Sequence, residues 1–343
     1  MRPLLASVAG DERATWLLDA VAWHPALLAG SANADANAHD AVPRAVLAQA
    51  LNVLLLDRLL TAVPTGAAYV EERVGRGERV HLDHGAVRTV SGVATGDLPQ
   101  GPRSITRVLR ALGYAQAETY NLDRLRMTGY AWRHLDRPAH ISQFFVSELH
   151  VGRFSTSFAL AAERIVGQST DPIDAATRRD LVDLEAHGAL PRQRAEAVLP
   201  ALLRCFTRRH PDPGEGDYLA VLAESAEMAW IATEGTAFNH ATDRVPDVLA
   251  VAAAERDAGR PVKDEVEVST SGRVLQTAHR AALVSRAFRT PAGATVDRDV
   301  PGSFFEFIER RPLPNGDGPD LAFDAANAQA IFGMTGALPA PAR

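Results

Sequence analysis

The amino-acid sequence predicts an α+β fold with two copies of a βαβββ-type module, preceded by N-terminal helices and separated by a helical insert. Three observations carry this. Apolar residues recur at helical spacing through the first 60 residues and again through residues 155–233. Outside those stretches the order strand, helix, then several strands occurs twice, once on each side of the insert. The two copies also share marks. The first strand of each has a histidine followed four residues later by an arginine, His84 with Arg88 and His240 with Arg244. The last strand of each has a Phe-Phe pair, Phe144–Phe145 and Phe304–Phe305.

The elements follow in order. Residues 1–65 are the N-terminal helices, read from "RATWLLDAVAWHPALLA" and "AVPRAVLAQALNVLLLDRLLTAV". The first module spans 78–150. "HGAVRTV" is its opening strand, "PRSITRVLRALGY" a helix stopped at Gly113, and "AETYNL", "RMTGYAWRHL" and "HISQFFVSEL" are strands. The insert spans 151–234. Its apolar stripes lie in "SFALAAERIVGQ", "DAATRRDLVDLEAHG", "RQRAEAVLPALLRCFTRR" and "DYLAVLAESAEMAWIATEG", with turn signals such as "DPI" and "HPDPGEGD" between them. The second module spans 235–312. It runs from the strand "AFNHATDRV" through the helix "VPDVLAVAAAERDAG" to the strands "EVEVST", "RVLQTAHRAALVSRAFR" and "GSFFEFIERR". A C-terminal segment, 313–343, completes what is expected to be a single catalytic domain over 1–343.

Composition narrows the function. The chain has 343 residues, 46% hydrophobic and 23% charged, as a folded globular protein does. Its net charge of -6 argues against a nucleic-acid binder. Lys263 is the only lysine, so the arginine excess reflects composition rather than an anion site. With the single cysteine Cys205 no intrachain disulfide can form, and a reducing, cytoplasmic compartment is expected. Cys205 sits on an amphipathic helix and reads as core rather than nucleophile. No uninterrupted apolar stretch of spanning length is evident, so no membrane association is expected.

Chemistry enters through strand geometry. Residues i, i+2 and i+4 of a strand share a face. His84, Ala86 and Arg88 therefore point one way, and His81 the other, where it reads as structural. His240, Thr242 and Arg244 share a face in the second copy. In "GSFFEFIERR", Phe304, Glu306 and Ile308 share a face, which places a carboxylate where an apolar side chain belongs. A carboxylate buried without partners costs several kcal/mol. Two histidines and one carboxylate on three strands are the ligand set of a facial-triad iron site. They leave Fe(II) with a net charge of about +1 and open positions that a 2-oxo acid and dioxygen can share. Arg88, roughly 13 Å of strand beyond His84, could grip a carboxylate through its guanidinium fork. Taken singly, each residue also has a structural reading: a core histidine, a surface arginine, or a Glu306 paired with Arg310 or Arg311. The residues alone leave open an O2-independent metal-dependent isomerase or lyase, and a non-catalytic small-molecule-binding module.

These residues sit in longer words. "DHGAVRTV", "LRALGYAQAETYNL", "FFVSEL", "FNHATDRV", "LQTA", "VPGSFFEFIERR" and "FDAANAQAIF" resemble, in order, segments of the DUF1338 family. That family includes the 2-oxoadipate dioxygenase/decarboxylases of lysine catabolism, within the vicinal-oxygen-chelate, glyoxalase-like superfamily. The resemblance runs from about residue 45 to about residue 335. It implies that the two modules form an incomplete β-barrel around a metal site. It implies metal ligation by His84, His240 and Glu306, with Arg88 on the substrate carboxylate. It implies Fe(II) as cofactor, although another divalent metal could occupy the site in a purified sample. The implied reaction turns 2-oxoadipate and O2 into 2-hydroxyglutarate and CO2. The chain ends sooner than the family's longer bacterial members, so the residues that read the far end of the acid are not assigned. Glu148, Tyr130, His134, Gln276 and Thr277 are further candidates for the cavity or its surroundings.

Overall fold

A computed structural model describes residues 1–28, 40–316 and 318–324. The predicted C-terminal segment lies outside the described residues from residue 325 onward, and so does most of "FDAANAQAIF".

The N-terminal region folds as helices Arg2–Ala9, Asp11–Ala20, Pro25–Leu28, Arg44–Ala62 and Pro64–Gly75, with a short strand β1 (Ala41–Pro43) before the fourth. Pro64 sits in the first turn of its helix, where its missing N–H costs nothing. Then come β2 (Leu82–Ser91), the helix Arg103–Ala111, β3 (Tyr114–Leu122), β4 (Met127–His134) and β5 (Gln143–His150). The insert carries helices Thr156–Val166, Ala175–His187, Arg192–Arg204, Glu215–Leu222 and Ala226–Glu234. Its strand β6 (Ala189–Pro191) pairs with β1. The chain closes with β7 (His240–Arg244), the helix Val248–Asp257, β8 (Glu267–Val268), β9 (Val274–Ala278), β10 (Leu283–Arg289), β11 (Thr295–Pro301) and β12 (Phe304–Arg310).

Eight strands form one curled, half-barrel sheet in the order β3-β4-β5-β2-β7-β12-β9-β8. The order reads the same from both ends: β2 answers β7, β5 answers β12, β4 answers β9 and β3 answers β8. Within each half the first and last strands pair in parallel, β2 with β5 and β7 with β12. The halves join through the antiparallel β2–β7 pair. This is the expected pair of βαβββ modules in an α+β fold.

Alternation along these strands sorts two layers. Val87, Phe144, Val146, Ala241, Phe305 and Phe307 join the large core that the N-terminal helices share. Ala86, Val90, Phe145 and Leu149 face the other way, into a second core with helices Thr156–Val166 and Ala226–Glu234 of the insert. The helix Arg44–Ala62 is long and apolar enough to cross a membrane, but it is mostly buried in the fold, as a core helix is. Cys205 is buried, its thiol pushed up to about 12 by burial, which fits the core reading.

Two elements differ from expectation. "RVLQTAHRAALVSRAFR" is two strands. β9 ends at Ala278, opposite Glu306, and β10 leaves the sheet to pair with β11 in a separate ribbon. Strand periodicity is the same for either partner, so it does not reveal the break. "DYLAVLAESAEMAWIATEG" is two helices. Ser225 takes an extended backbone and its Oγ accepts from Met228 N at 3.2 Å, starting a new helix.

Candidate metal centre

Register places the central residues. Across β2, β7 and β12, His84 lies opposite Thr242, and Thr242 opposite Glu306. His240, two residues before Thr242 on β7, lies opposite Ala86 and Phe304. With neighbouring strands about 4.8 Å apart, side chains from three strands meet on one face. The alternation that directs His84, Ala86 and Arg88 together is intact: all three line one cavity with His240.

The functional atoms converge closely. His84 Nε2 is 3.1 Å from Glu306 Oε2, and His240 Nε2 is 3.5 Å from the same oxygen. The two imidazoles stand edge to face, 5.4 Å between centroids at 89°. Thr242 Oγ1 donates to Glu306 Oε2 at 2.5 Å and lies 3.3 Å from His84 Nε2. Candidate ligand atoms of His84, His240 and Glu306 all lie within 4.8 Å of one another, and all three residues are buried. Ligands at right angles on one ion, each about 2.1 Å away, sit about 3.0 Å apart. The 3.1 and 3.5 Å separations of the two imidazole nitrogens from Glu306 Oε2 are close to that spacing. His240 Nε2 and Glu306 Oε1 are buried without a hydrogen-bond partner among the described residues, the condition of donors arranged for an ion. This group could hold a metal ion.

Acceptors beside the two imidazoles fix which nitrogens face inward. His84 Nδ1 lies 2.9 Å from Asp83 Oδ1, and His240 Nδ1 lies 3.2 Å from Asn239 Oδ1. Such partners set the imidazole tautomer and leave Nε2 to ligate. Asp83 precedes His84, so regular pleating would send it to the opposite face. The β2–β7 register slips between Leu82 and His84, and this bulge re-aims the carboxylate. Asp83 is in turn gripped by Arg310, whose Nε and Nη2 donate at 2.8 Å, and by Arg244, whose Nε donates at 2.7 Å. Arg310 and Arg244 therefore serve Asp83. Glu306 pairs with neither Arg310 nor Arg311, which goes to Glu309.

Charges follow from burial and pairing. Burial opposes ionisation of Asp83, but Arg310, His84 and Arg244 outweigh it and hold its carboxyl well below the usual range. Burial likewise opposes the His84 imidazolium, yet Asp83 and Glu306 raise its pKa. His240 is pushed down to about 3, chiefly by burial. Burial works against the Glu306 carboxylate, and His240, His84 and Thr242 bring its pKa below the ordinary value. Arg88, 1% exposed, is lowered to about 10 by burial, partly offset by Glu227. It remains cationic at neutral pH, with its guanidinium carbon 4.9 Å from the centre of the Trp230 ring.

The cavity is lined by His84, Ala86, Arg88, Phe145, Ser147, Asn239, His240, Gln276, Phe323 and Asp324. Phe323 closes one side. Its ring meets His84 at 4.8 Å and Phe145 at 5.2 Å. Its backbone N–H donates to Tyr120 Oη at 3.0 Å, while Arg310 holds the carbonyls of Asp320 and Ala322.

A chain with this fold and donor set matches a known family over residues 55–331, that of 2-oxoadipate dioxygenase/decarboxylase. The chain belongs to this family. A glyoxalase superfamily protein from Ralstonia eutropha JMP134 is 46% identical, with 94% of this chain and 98% of that one covered at a TM-score of 0.89. The hydroxyglutarate synthase of Oryza sativa, solved with 2-oxoadipate, is 21% identical over 87% of this chain and 95% of its own, at a TM-score of 0.66. The hydroxyglutarate synthase of Pseudomonas putida is 18% identical over 86% of this chain and 75% of its own, at 0.61. These last two share the fold. No curated protein sequence matched the chain.

Among the other candidates, Gln276 lines the cavity and donates to Glu267 at 3.1 Å. Tyr130 donates to Glu148 at 2.8 Å, and neither reaches the cavity lining. His134 packs on Tyr114, and Thr277 also lies outside the lining. His81 is exposed, and its backbone N–H donates to Asp243 Oδ1 at 2.8 Å. Asp243 accepts from Tyr69 as well, while Arg244 pairs with Asp83. Sequence reasoning missed Asp83, Asn239, Trp230 and Phe323. The repeated acceptor just before each histidine, Asp83 and Asn239, was a readable signal of a partner for each imidazole Nδ1.

Proposed function

We propose that this protein is an Fe(II)-dependent dioxygenase that decarboxylates a 2-oxo acid, with 2-oxoadipate and O2 giving 2-hydroxyglutarate and CO2. The observation that carries the reading is the buried His84–His240–Glu306 set, whose two histidines line one cavity with Arg88. The family match and a relative's complex with 2-oxoadipate support the substrate class. The whole chain is proposed to work as one catalytic unit.

His84 Nε2, His240 Nε2 and a Glu306 oxygen would hold the metal. Iron bound there supplies dioxygen activation and a chelating site for a 2-oxo carboxylate. Arg88 binds and orients a substrate carboxylate, aided by the Trp230 face and by burial that strengthens the charge pairing. Ala86, Phe145 and Phe323 form apolar walls that keep water from the reacting carbons. Asp83 and Asn239 keep both imidazoles in the Nδ1–H tautomer, so that no ligand rotates or changes tautomer during turnover.

The test is anaerobic reconstitution with Fe(II), followed by O2 exposure with a panel of 2-oxo acids and quantitation of CO2 and hydroxy acid. Equal amounts of the two products from 2-oxoadipate, formed only with O2, are expected. Undiminished turnover under strict anaerobiosis would assign the site to the metal-dependent isomerases or lyases instead.

A further inference from the structure

We infer that Asn239 is a substrate-binding residue whose Nδ2 amide donates to an oxygen of the acid held in the cavity. The inference deepens the proposed function and rests on it. Asn239 is 2% exposed and lines the same cavity as His84, Arg88 and His240. Its backbone is pinned from both sides: its N–H donates to Ala86 O at 2.8 Å and its carbonyl accepts from Phe304 N at 3.2 Å. Oδ1 is taken by His240 Nδ1 at 3.2 Å, whereas Nδ2 is buried with no partner among the described residues.

The assignment of the amide follows from chemistry. Turning it over would make Nδ2 the donor to His240 Nδ1, which forces the ring proton onto Nε2. That nitrogen faces Glu306 and would then be unable to bind a cation. Only the orientation with Oδ1 on the imidazole keeps His240 a ligand, and it leaves the Nδ2 hydrogens of a cavity-lining residue without a protein acceptor among the described residues. A buried amide donor is seldom left unsatisfied in a native protein. An acid in this cavity brings carboxylate and keto oxygens that accept.

The other half of the molecule sharpens the contrast. Asp83 holds the matching position before His84, and the protein satisfies it completely: one oxygen accepts from His84, and both accept from Arg310 or Arg244. Asn239 is neutral, has no arginine partner among the described residues, and keeps a spare donor on a side chain that lines the cavity. The pseudo-symmetric halves thus split two tasks. One neighbour of a histidine is closed off by cations, and the other is left open to the substrate.

The experiment measures 2-oxoadipate binding to the Fe(II)-loaded full chain without O2, by calorimetry, for wild type, Asn239→Ala and Asn239→Asp. Metal affinity is measured separately by chelator competition. Asn239→Asp keeps an acceptor for His240 but has no spare donor; Asn239→Ala removes the donor without adding charge. With the metal site saturated, both variants are expected to bind 2-oxoadipate about tenfold or more weakly, corresponding to about 1.4 kcal/mol. Iron affinity should be retained in Asn239→Asp and fall in Asn239→Ala. Binding of 2-oxoadipate within twofold of wild type in Asn239→Ala at metal saturation overturns the inference. So does a loss in Asn239→Asp alone, which charge repulsion explains. If wild type binds 2-oxoadipate no better than a simple monocarboxylate, the functional reading fails and this inference with it.

Discussion

At the residue scale the site depends on a few atoms. Asp83→Asn keeps shape and an acceptor but discards the charge that Arg310 and Arg244 organise. Its iron affinity at alkaline pH should fall about 10- to 100-fold in chelator competition, the usual range for an outer carboxylate partner. An unchanged affinity would make the Asp83–Arg310 pair purely structural. Arg88→Met should raise KM for the oxo acid at least about tenfold while leaving iron affinity intact, since a fork-shaped carboxylate contact is lost. Gly85 is a packing requirement beside these residues. A Cβ there would lie 1.7 Å from Phe238 Cζ, within the aromatic layer behind the sheet. Gly85→Ala is expected to lower stability by about 1–3 kcal/mol in chemical denaturation. His84, Arg88, His240 and Glu306 could be placed on common faces from the sequence because each sits in a regular strand, where period two is reliable. Asp83 could not be placed from period two, because a bulge breaks that period at its own position; the acceptor repeated just before each histidine was its one sequence signal.

At the scale of elements, the helix Ala226–Glu234 brings the insert to the site. It carries Trp230 against Arg88, and Trp230 Nε1 donates to Gly302 O at 3.1 Å, just ahead of β12. Ser225 starts this helix by accepting from Met228 N, and its hydroxyl also donates to Glu227 at 2.9 Å. Ser225→Ala should cost about 1–2 kcal/mol in thermal or chemical unfolding, through loss of the cap. A larger effect on KM than on stability would show that the cap matters chiefly through Arg88. The helix–helix break at Ser225 and the departure of β10 from the sheet were hidden in the sequence for one reason. Both flanking segments keep the same periodicity, and only the pairing partner or a single extended residue changes. The strand order was legible in outline because the His–Arg and Phe-Phe marks repeat. The joining of the halves through β2 and β7 was not, since it depends on contacts far apart in sequence.

At the scale of the whole molecule, two halves of matching strand order give a pseudo-symmetric scaffold for an asymmetric site. Each half supplies a histidine from its first strand, but only the second supplies the carboxylate. In the first half, β5 sets Phe145 and Ser147 toward the cavity instead. The same asymmetry sets the pH response. Asp83 and Glu306 raise the pKa of His84 above the ordinary 6.5, against the opposing effect of burial. In the metal-free protein, stability from protonated His84 is present below the unfolded value and lost as pH rises through the folded one. Metal needs the deprotonated ring, so iron affinity should fall on acidification beginning above pH 6.5. Thermal unfolding with and without metal, followed against pH, checks this: the stabilisation by metal should shrink toward acid. A metal effect that grows toward acid would contradict it.

A metal held by His84, His240 and Glu306 is proposed to bring O2 to a 2-oxo acid oriented by Arg88. The most direct test is turnover of 2-oxoadipate by the Fe(II)-loaded protein under isotopically labelled dioxygen, with mass spectrometry of the hydroxy acid. Both oxygen atoms of O2 are expected in 2-hydroxyglutarate, one in the new carboxylate and one in the hydroxyl, with the released CO2 unlabelled and His84→Ala inactive. An unlabelled product, or a His84→Ala variant with full turnover, would contradict the account.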